Sequence, residues 1–168
     1  GAVVGVQPFG GEGLSGTGPK AGGPFYAKRF TKPVSAPLPE IRTADMPGPT
    51  GERNTWSLTP RGLVVCLGPG EEAIAEQQRL AAEAGNRTIT LAEHGGTLEE
   101  LLLMPELSAV LHAGGNIAAI RKTLANRPGK RVLVIDPACH PELLFGEKVV
   151  SEDTTASGGN ASLLASVG

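Results

Sequence analysis

The sequence predicts an α/β chain, and three observations carry that prediction. Leu63-Val64-Val65-Cys66-Leu67, Thr88 to Leu91, Ser108 to His112 and Arg131 to Ile135 are short runs that suit buried strands. Stretches rich in Ala, Glu and Leu separate them, and this β-α-β-α-β-α-β alternation argues for parallel strands joined by helical crossovers. The third observation lies upstream, where nine of the first 24 residues are Gly, interleaved with Val3, Val4, Val6 and Phe9. Glycine so dense costs backbone entropy and is kept where positive φ or close backbone approach is needed. Flexible linkers do not carry the aromatics Phe9, Phe25, Tyr26 and Phe30. The expected architecture is a Rossmann-like parallel sheet with flanking helices, preceded by a folded Gly-rich loop segment and extended arms.

Taken in order, Val3 to Val6 is a β-capable run and Gly10 to Gly23 is loop. Phe25 to Thr31 alternates weakly and predicts a strand. Thr31 to Thr55 contains Pro33, Pro37, Pro39, Pro47 and Pro49, which prevent regular helix and discourage central strands. An extended connection from one body to another is expected there. The run from Gly62 to Leu67 is apolar throughout, as in a strand buried on both faces. Glu71 to Ala84 predicts a helix, with Glu71 and Glu72 favoured in its first turn and Gly85 at the C′ position. Thr97 caps a helix running to Met104, and Glu100 completes a capping box. Asn116 to Asn126 predicts a further helix and Pro141 to Phe145 a short helical turn. Ser151 to Gly168 is small and polar, and is expected to dock elsewhere. The organisation reads as residues 1–30 (Gly-rich segment), 31–58 (Pro-rich connection), 59–150 (Rossmann-like module) and 151–168 (docking tail).

Composition narrows the function. The 168 residues suit one domain of ordinary size, and a net charge of −2 gives no basic excess for nucleic acid. No run of 18 apolar residues occurs, and the first residues lack the pattern of a signal peptide. Two cysteines, Cys66 and Cys139, set no disulfide framework and fit a reducing cytoplasm.

Several motifs invite a chemical reading. Gly11-x-Gly13-x-x-Gly16 has the spacing of a dinucleotide fingerprint, but Pro8 precedes it and Pro19, Gly22 and Gly23 follow, so no helix opens. Gly68-Pro69-Gly70-Glu71-Glu72-Ala73 does follow a strand and open a helix, with Glu93 at a suitable distance. Glu71 and Glu72 nevertheless put carboxylates where a pyrophosphate needs positive potential, so a ligand-free βα turn is the favoured reading. A nucleotide-binding module centred on Gly68 and Gly70 stays open as a rival. Cys66 reads as a small buried hydrophobe. His140 beside Cys139 offers a way to lower the thiol pKa, although nucleophile and base seldom act from adjacent positions. His94, His112 and His140 lack ligand spacing and read as surface or strand-end residues. Glu52-Arg53-Asn54 is either an exposed polar turn or a charged lock onto a neighbouring body.

A resemblance adds to these readings. Val4-Gly5-Val6-Gln7-Pro8-Phe9-Gly10-Gly11 with Gly13-Leu14-Ser15-Gly16-Thr17-Gly18 resembles the C-terminal signature of the aldehyde dehydrogenase superfamily. Pro19 to Pro24 extends the likeness to its glutamate semialdehyde dehydrogenase branch. Pro47 to Trp56 and Ala156 to Leu164 are similar to the C-terminal part of the proline utilization A family of bifunctional enzymes. The resemblance is weak from about Leu63 to Val150.

It implies a parent that oxidises proline on FAD, passes the product through a tunnel, and oxidises L-glutamate γ-semialdehyde to glutamate with NAD. The nucleophilic Cys, the base and most of the NAD pocket would lie outside this segment, which alone would bind no cofactor and be inactive. The chain, which opens on Gly1-Ala2-Val3-Val4 without Met, is then expected to be the C-terminal piece of a longer polypeptide. Gly1 and Ala2 match the loop that holds the substrate α-carboxylate through backbone N–H groups, a task that small residues suit. Where this chain has Ala2, the family often has Ser, so a hydroxyl contact is in doubt. Phe9 matches the aromatic against the substrate's aliphatic part, the alternative being plain core packing. Ser15 and Thr17 are expected to fix turns. The tail around Gly158-Gly159-Asn160 would help enclose the aldehyde site. Implied partners are the rest of the polypeptide, the semialdehyde and further copies in a homo-oligomer. Implied location is the cytoplasm, with peripheral attachment to the inner membrane face. An assembly role for Thr31 to Thr59 is the remaining alternative.

Overall fold

The computed structural model describes residues 3–115 and 117–155. Two sheets organise them. Strands β3 (Leu63–Cys66), β4 (Arg87–Thr90), β5 (Leu107–Leu111) and β6 (Leu133–Ile135) form a parallel sheet in the order β4-β3-β5-β6. The crossovers contain α1 (Gly70–Glu83), then α2 (Leu91–His94) with α3 (Leu98–Leu102), then α4 (Ile117–Ala125). This is the Rossmann-like arrangement that the alternation predicts.

Alternation of side chains along the strands divides the core between the two faces. Val64, Cys66, Ala109, Leu111 and Ile135 share one cluster with Ala81 and Ala84 at the end of α1. Val65, Leu107 and Val110 join Leu101, Leu102, Ile120 and Leu124 from α3 and α4 in the other. Val64, Val65 and Cys66 are wholly buried, as the apolar run requires, and each buried Val contributes about 1.5–3 kcal/mol.

Helix ends follow the residues. Gly85 takes φ 84° directly after α1, and Asn86 N–H returns to the Ala81 carbonyl. Thr97 and Glu100 form the predicted capping box on α3. A second box, Thr90 with Glu93, starts α2, a helix absent from the sequence expectation although Thr90-Leu91-Ala92-Glu93 carries the same signature.

The second sheet corrects the reading of the arms. It is antiparallel, in the order β1-β2-β7, from β1 (Thr43–Met46), β2 (Glu52–Pro60) and β7 (Phe145–Asp153). The prolines discouraged central strands here, yet β2 is central. Pro47 and Pro49 fall in the β1–β2 connection and Pro60 at a strand end, so no proline interrupts the ladder interior. Glu52-Arg53-Asn54 is strand rather than turn. Ser151 to Asp153 belong to β7 rather than to a separate tail, because β2 and β7 pair from Glu52↔Asp153 to Pro60↔Phe145. Upstream, Val3 to Val6 forms a turn in which the Val3 carbonyl accepts from Val6 N and Gln7 N, not a strand. The predicted strand at Phe25 to Thr31 is a 3-10 helix over Tyr26–Phe30. Its apolar residues sit three to four apart (Tyr26, Phe30), which suits a helical face.

Trp56 and Leu58 of β2 and Phe145 of β7 enter the same core cluster as Val64 and Cys66. The antiparallel sheet is thereby bonded to the parallel one through apolar packing. Asn86 adds a polar stitch: its amide accepts from Gly62 N at 3.1 Å and donates to the Leu144 carbonyl at 3.0 Å.

Candidate functional site

The Gly-rich segment folds into a braced loop. Phe9 N donates to the Ala21 carbonyl at 3.0 Å and Ala21 N to the Phe9 carbonyl at 2.7 Å. Gly5 N reaches the Gly22 carbonyl at 3.1 Å, and Glu12 bridges Thr17. Phe9 is 46% exposed within this segment. Its backbone is fixed while its ring is presented to the outside. Gly1 and Ala2, the expected carboxylate anchors, lie outside the described residues, as does the tail around Gly158-Gly159-Asn160. Thr17 holds its turn through the bridge to Glu12.

Four polar anchors fasten this loop to the second sheet and the module. The Glu147 carboxylate of β7 accepts from Trp56 Nε1 at 3.0 Å and from the Lys20 backbone N at 2.5 Å. Arg61 pairs with Glu12 at 2.7 Å while its Nε donates to the Leu143 carbonyl. Lys28 reaches the buried Glu142 at 3.1 Å, and Gln7 donates to Glu52. Phe25 packs on Trp56 with ring centroids 5.8 Å apart. Arg61 is largely buried, so this pair is shielded far better than a surface one. Reading the sequence missed Glu147, Arg61 and Trp56 as organising residues. The alternation Asn54-x-Trp56-x-Leu58 was the available signal for Trp56.

Beside the loop lies a groove of about 580 Å³ between Phe25, Pro37, Leu38, Ile41, Met46 and Trp56. Its walls are apolar, with Lys28 and Glu40 as its charged lining residues.

A different turn follows β3 where the strand order reverses, between the C-terminal ends of β3 and β5. Gly68 takes φ 81° there, and a Cβ on it would lie 2.6 Å from Gly70 N. Gln77 clamps the turn from α1, its side chain accepting from Gly68 N and donating to Gly68 O, both at 2.9 Å. Ala113 N donates to the same carbonyl at 2.9 Å. The Gly68 amide that a pyrophosphate would use is therefore occupied internally, which supports the ligand-free reading of that amide.

The cysteines are chemically quiet. Burial pushes the Cys66 thiol up to about 12, with the Glu93 carboxylate adding to the effect. Cys139 is raised as well, by desolvation and then by Asp136. The disfavoured route through His140 is not taken: the His140 ring faces Glu142, with Nδ1 3.4 Å from the carboxylate.

A braced glycine-rich loop anchored on a Rossmann-like α/β module defines the class of segment. No family model matches the chain. Curated relatives do. The chain is 32% identical to bifunctional protein PutA of Salmonella typhimurium over 238 aligned residues, covering 98% of this chain and 18% of that protein. The values are the same for bifunctional protein PutA of Escherichia coli, and 31% identity over 98% and 19% for that of Rhizobium meliloti. Among solved structures, proline utilization A from Corynebacterium freiburgense superposes with a TM-score of 0.55 at 21% identity, over 92% of this chain and 19% of that one. This chain is a PutA-derived segment. It spans about a fifth of the length of the curated relatives it matches.

Proposed function

We propose that this chain is the C-terminal part of a bifunctional proline-catabolic enzyme. The parent oxidises proline with FAD and then L-glutamate γ-semialdehyde to glutamate with NAD. The segment supplies the substrate-anchoring loop, with Gly1 and Ala2 toward the carboxylate and Phe9 against the aliphatic chain, and it structurally closes the aldehyde site. It provides no catalytic nucleophile and holds neither cofactor by itself. The single observation that carries this reading is the presentation of Phe9: an exposed aromatic on a backbone fixed to Ala21, within a segment matched to PutA along 98% of its length.

The mechanical logic is preorganisation. An apolar wall that is already in place costs less to order when substrate arrives. The anchors Glu147 and Arg61 hold the loop from the module side, so the module works by positioning. The parent would act in the cytoplasm, with peripheral attachment to the inner membrane face, and as a homo-oligomer. The test is semialdehyde oxidation by the full-length parent carrying Phe9→Ala, for which KM rises about tenfold with kcat less affected. Unchanged kinetics would refute the role of Phe9.

One observation favours a second reading as an assembly segment: the apolar groove beside the Pro-rich arm, with Ile41 and Val34 exposed nearby. Sedimentation of the parent lacking residues 31–42 decides it, an unchanged oligomer removing the idea.

A further inference from the structure

The motif Glu52-Arg53-Asn54 divides between the two faces of β2. Arg53 is exposed and pairs with Glu152 at 2.6 Å, both side chains being more than half open to solvent. Glu52, Asn54, Trp56 and Leu58 alternate with it and share the opposite face, where Asn54, Trp56 and Leu58 are buried. That face meets both limbs of the Gly-rich loop. Glu147, opposite Leu58, accepts from Lys20 N beside Ala21, and Glu52 accepts from the Gln7 side chain two residues before Phe9. Phe9 and Ala21 are the bridged pair of the loop, so one carboxylate grips each limb.

What aims Glu52 is Asn54. Asn54 is 0% exposed, and its Nδ2 donates to Glu52 Oε1 at 2.7 Å, the same oxygen that Gln7 Nε2 reaches. Ser151 faces Asn54 from β7, and its Oγ donates to Asn54 Oδ1 at 2.6 Å. The amide orientation follows from chemistry: an ionised carboxylate only accepts, so the NH2 group must face Glu52. Both polar atoms of the Asn54 side chain therefore have partners, as burial requires. Gly48 leaves the room for this arrangement, since a Cβ built on it would lie 3.0 Å from Asn54 Nδ2 and 3.0 Å from the Glu52 carbonyl oxygen.

We propose that Asn54 is a positioning residue for the aldehyde site: through Glu52 it holds Gln7, and with Gln7 the limb that carries Phe9. The inference rests on the reading of Phe9 as the substrate's apolar wall. Asn54 touches no substrate; its task is to fix one carboxylate oxygen between two donors. The relay runs from Ser151 on β7 through Asn54 to Glu52, and Gln7 closes it from the loop side. Hydrogen bonds to an ionised carboxylate are shorter and stronger than neutral ones, so a shift of the limb costs them directly. Arg53, on the other face, takes no part.

The experiment is semialdehyde oxidation by the full-length parent carrying Asn54→Asp, which sets a second carboxylate against Glu52. KM is expected to rise about tenfold, with kcat less affected and proline oxidation unchanged. Adding Glu52→Gln should bring KM back to within about threefold of the wild-type value, because the new amide donates to the carboxylate at position 54 and still accepts from Gln7. Glu52→Ala, which introduces no charge, should raise KM severalfold, and Arg53→Ala should leave it alone. A merely structural Asn54 would lower the amount of folded enzyme without moving KM. In the 168-residue chain, the Gln7 side-chain NH2 and the Phe9 backbone amide should shift in NMR spectra of Asn54→Asp and return in the double variant. Unmoved amides overturn the relay whatever the kinetics show. A wild-type KM in both Asn54→Asp and Glu52→Ala, beside a raised KM in Phe9→Ala, overturns the positioning role while the reading of Phe9 stands.

Discussion

Trp56 is the only tryptophan of the chain, and it is 2% exposed. Its Nε1–H donates to Glu147, whose second oxygen accepts from Lys20 N, so one carboxylate joins β2, β7 and the Gly-rich loop. Trp56→Phe removes the donor while keeping most of the apolar contact. Urea unfolding followed by circular dichroism should show a loss of about 1–2 kcal/mol, because a partly buried charged acceptor is left with one partner fewer. A change near zero would place the stabilisation in ring packing alone. The thiols make a separate residue-scale test. Cys139 is partly exposed and Cys66 buried, so a thiol reagent should label Cys139 in the folded chain and Cys66 only on unfolding. The raised Cys66 value also fixes a sign. Its contribution to stability is complete below the ordinary thiol value of 9.0 and is lost as pH rises toward about 12.

At the scale of elements, the two capping boxes bear on α2 and α3. The Glu100 carboxyl lies below its ordinary value of 4.5, first because Thr97 N–H and then because Thr97 Oγ1–H donates to it. A depressed carboxyl stabilises the fold above its unfolded pKa and loses that contribution as pH falls through the lower folded value. The Thr97 amide resonance should therefore hold its position down to the ordinary carboxyl range and move only in stronger acid. Movement already at the ordinary value would mean the box is open in solution.

The parallel module was legible because each of its elements announces itself locally. Gly62 to Leu67 has no polar residue to place on a wet face, and Thr97 with Glu100 marks a helix start. The antiparallel sheet was not legible, because its central pair joins Glu52–Pro60 to Phe145–Asp153 across the whole module. Pairing over that distance leaves no local spacing, and the prolines of the arm pointed away from strands. Of the candidate site, Phe9 is proposed from its motif. Glu147 and Arg61 were not legible, since an isolated Glu or Arg carries no pattern until the fold brings it to Lys20 or Glu12.

For the molecule as a whole, the Gly-rich loop and the Rossmann-like module act as one unit through the antiparallel sheet. Trp56, Leu58 and Phe145 share the module's core, while Glu147, Arg61 and Glu142 hold the loop. A defect at an anchor should thus be felt at the loop's exposed Phe9. On the proposed function, Glu147→Ala in the full-length parent is expected to raise KM for the semialdehyde severalfold while leaving proline oxidation untouched. Glu147→Gln should recover part of the effect, since its amide oxygen still accepts one of the two hydrogen bonds.

The most direct measurement is the pair of semialdehyde KM values for the full-length parent with Phe9→Ala and with Glu147→Ala, each beside its rate of proline oxidation. Two raised KM values with proline oxidation at the wild-type rate are the result predicted for a loop that binds aldehyde substrate and is held by the module. Wild-type KM values in both variants would contradict it.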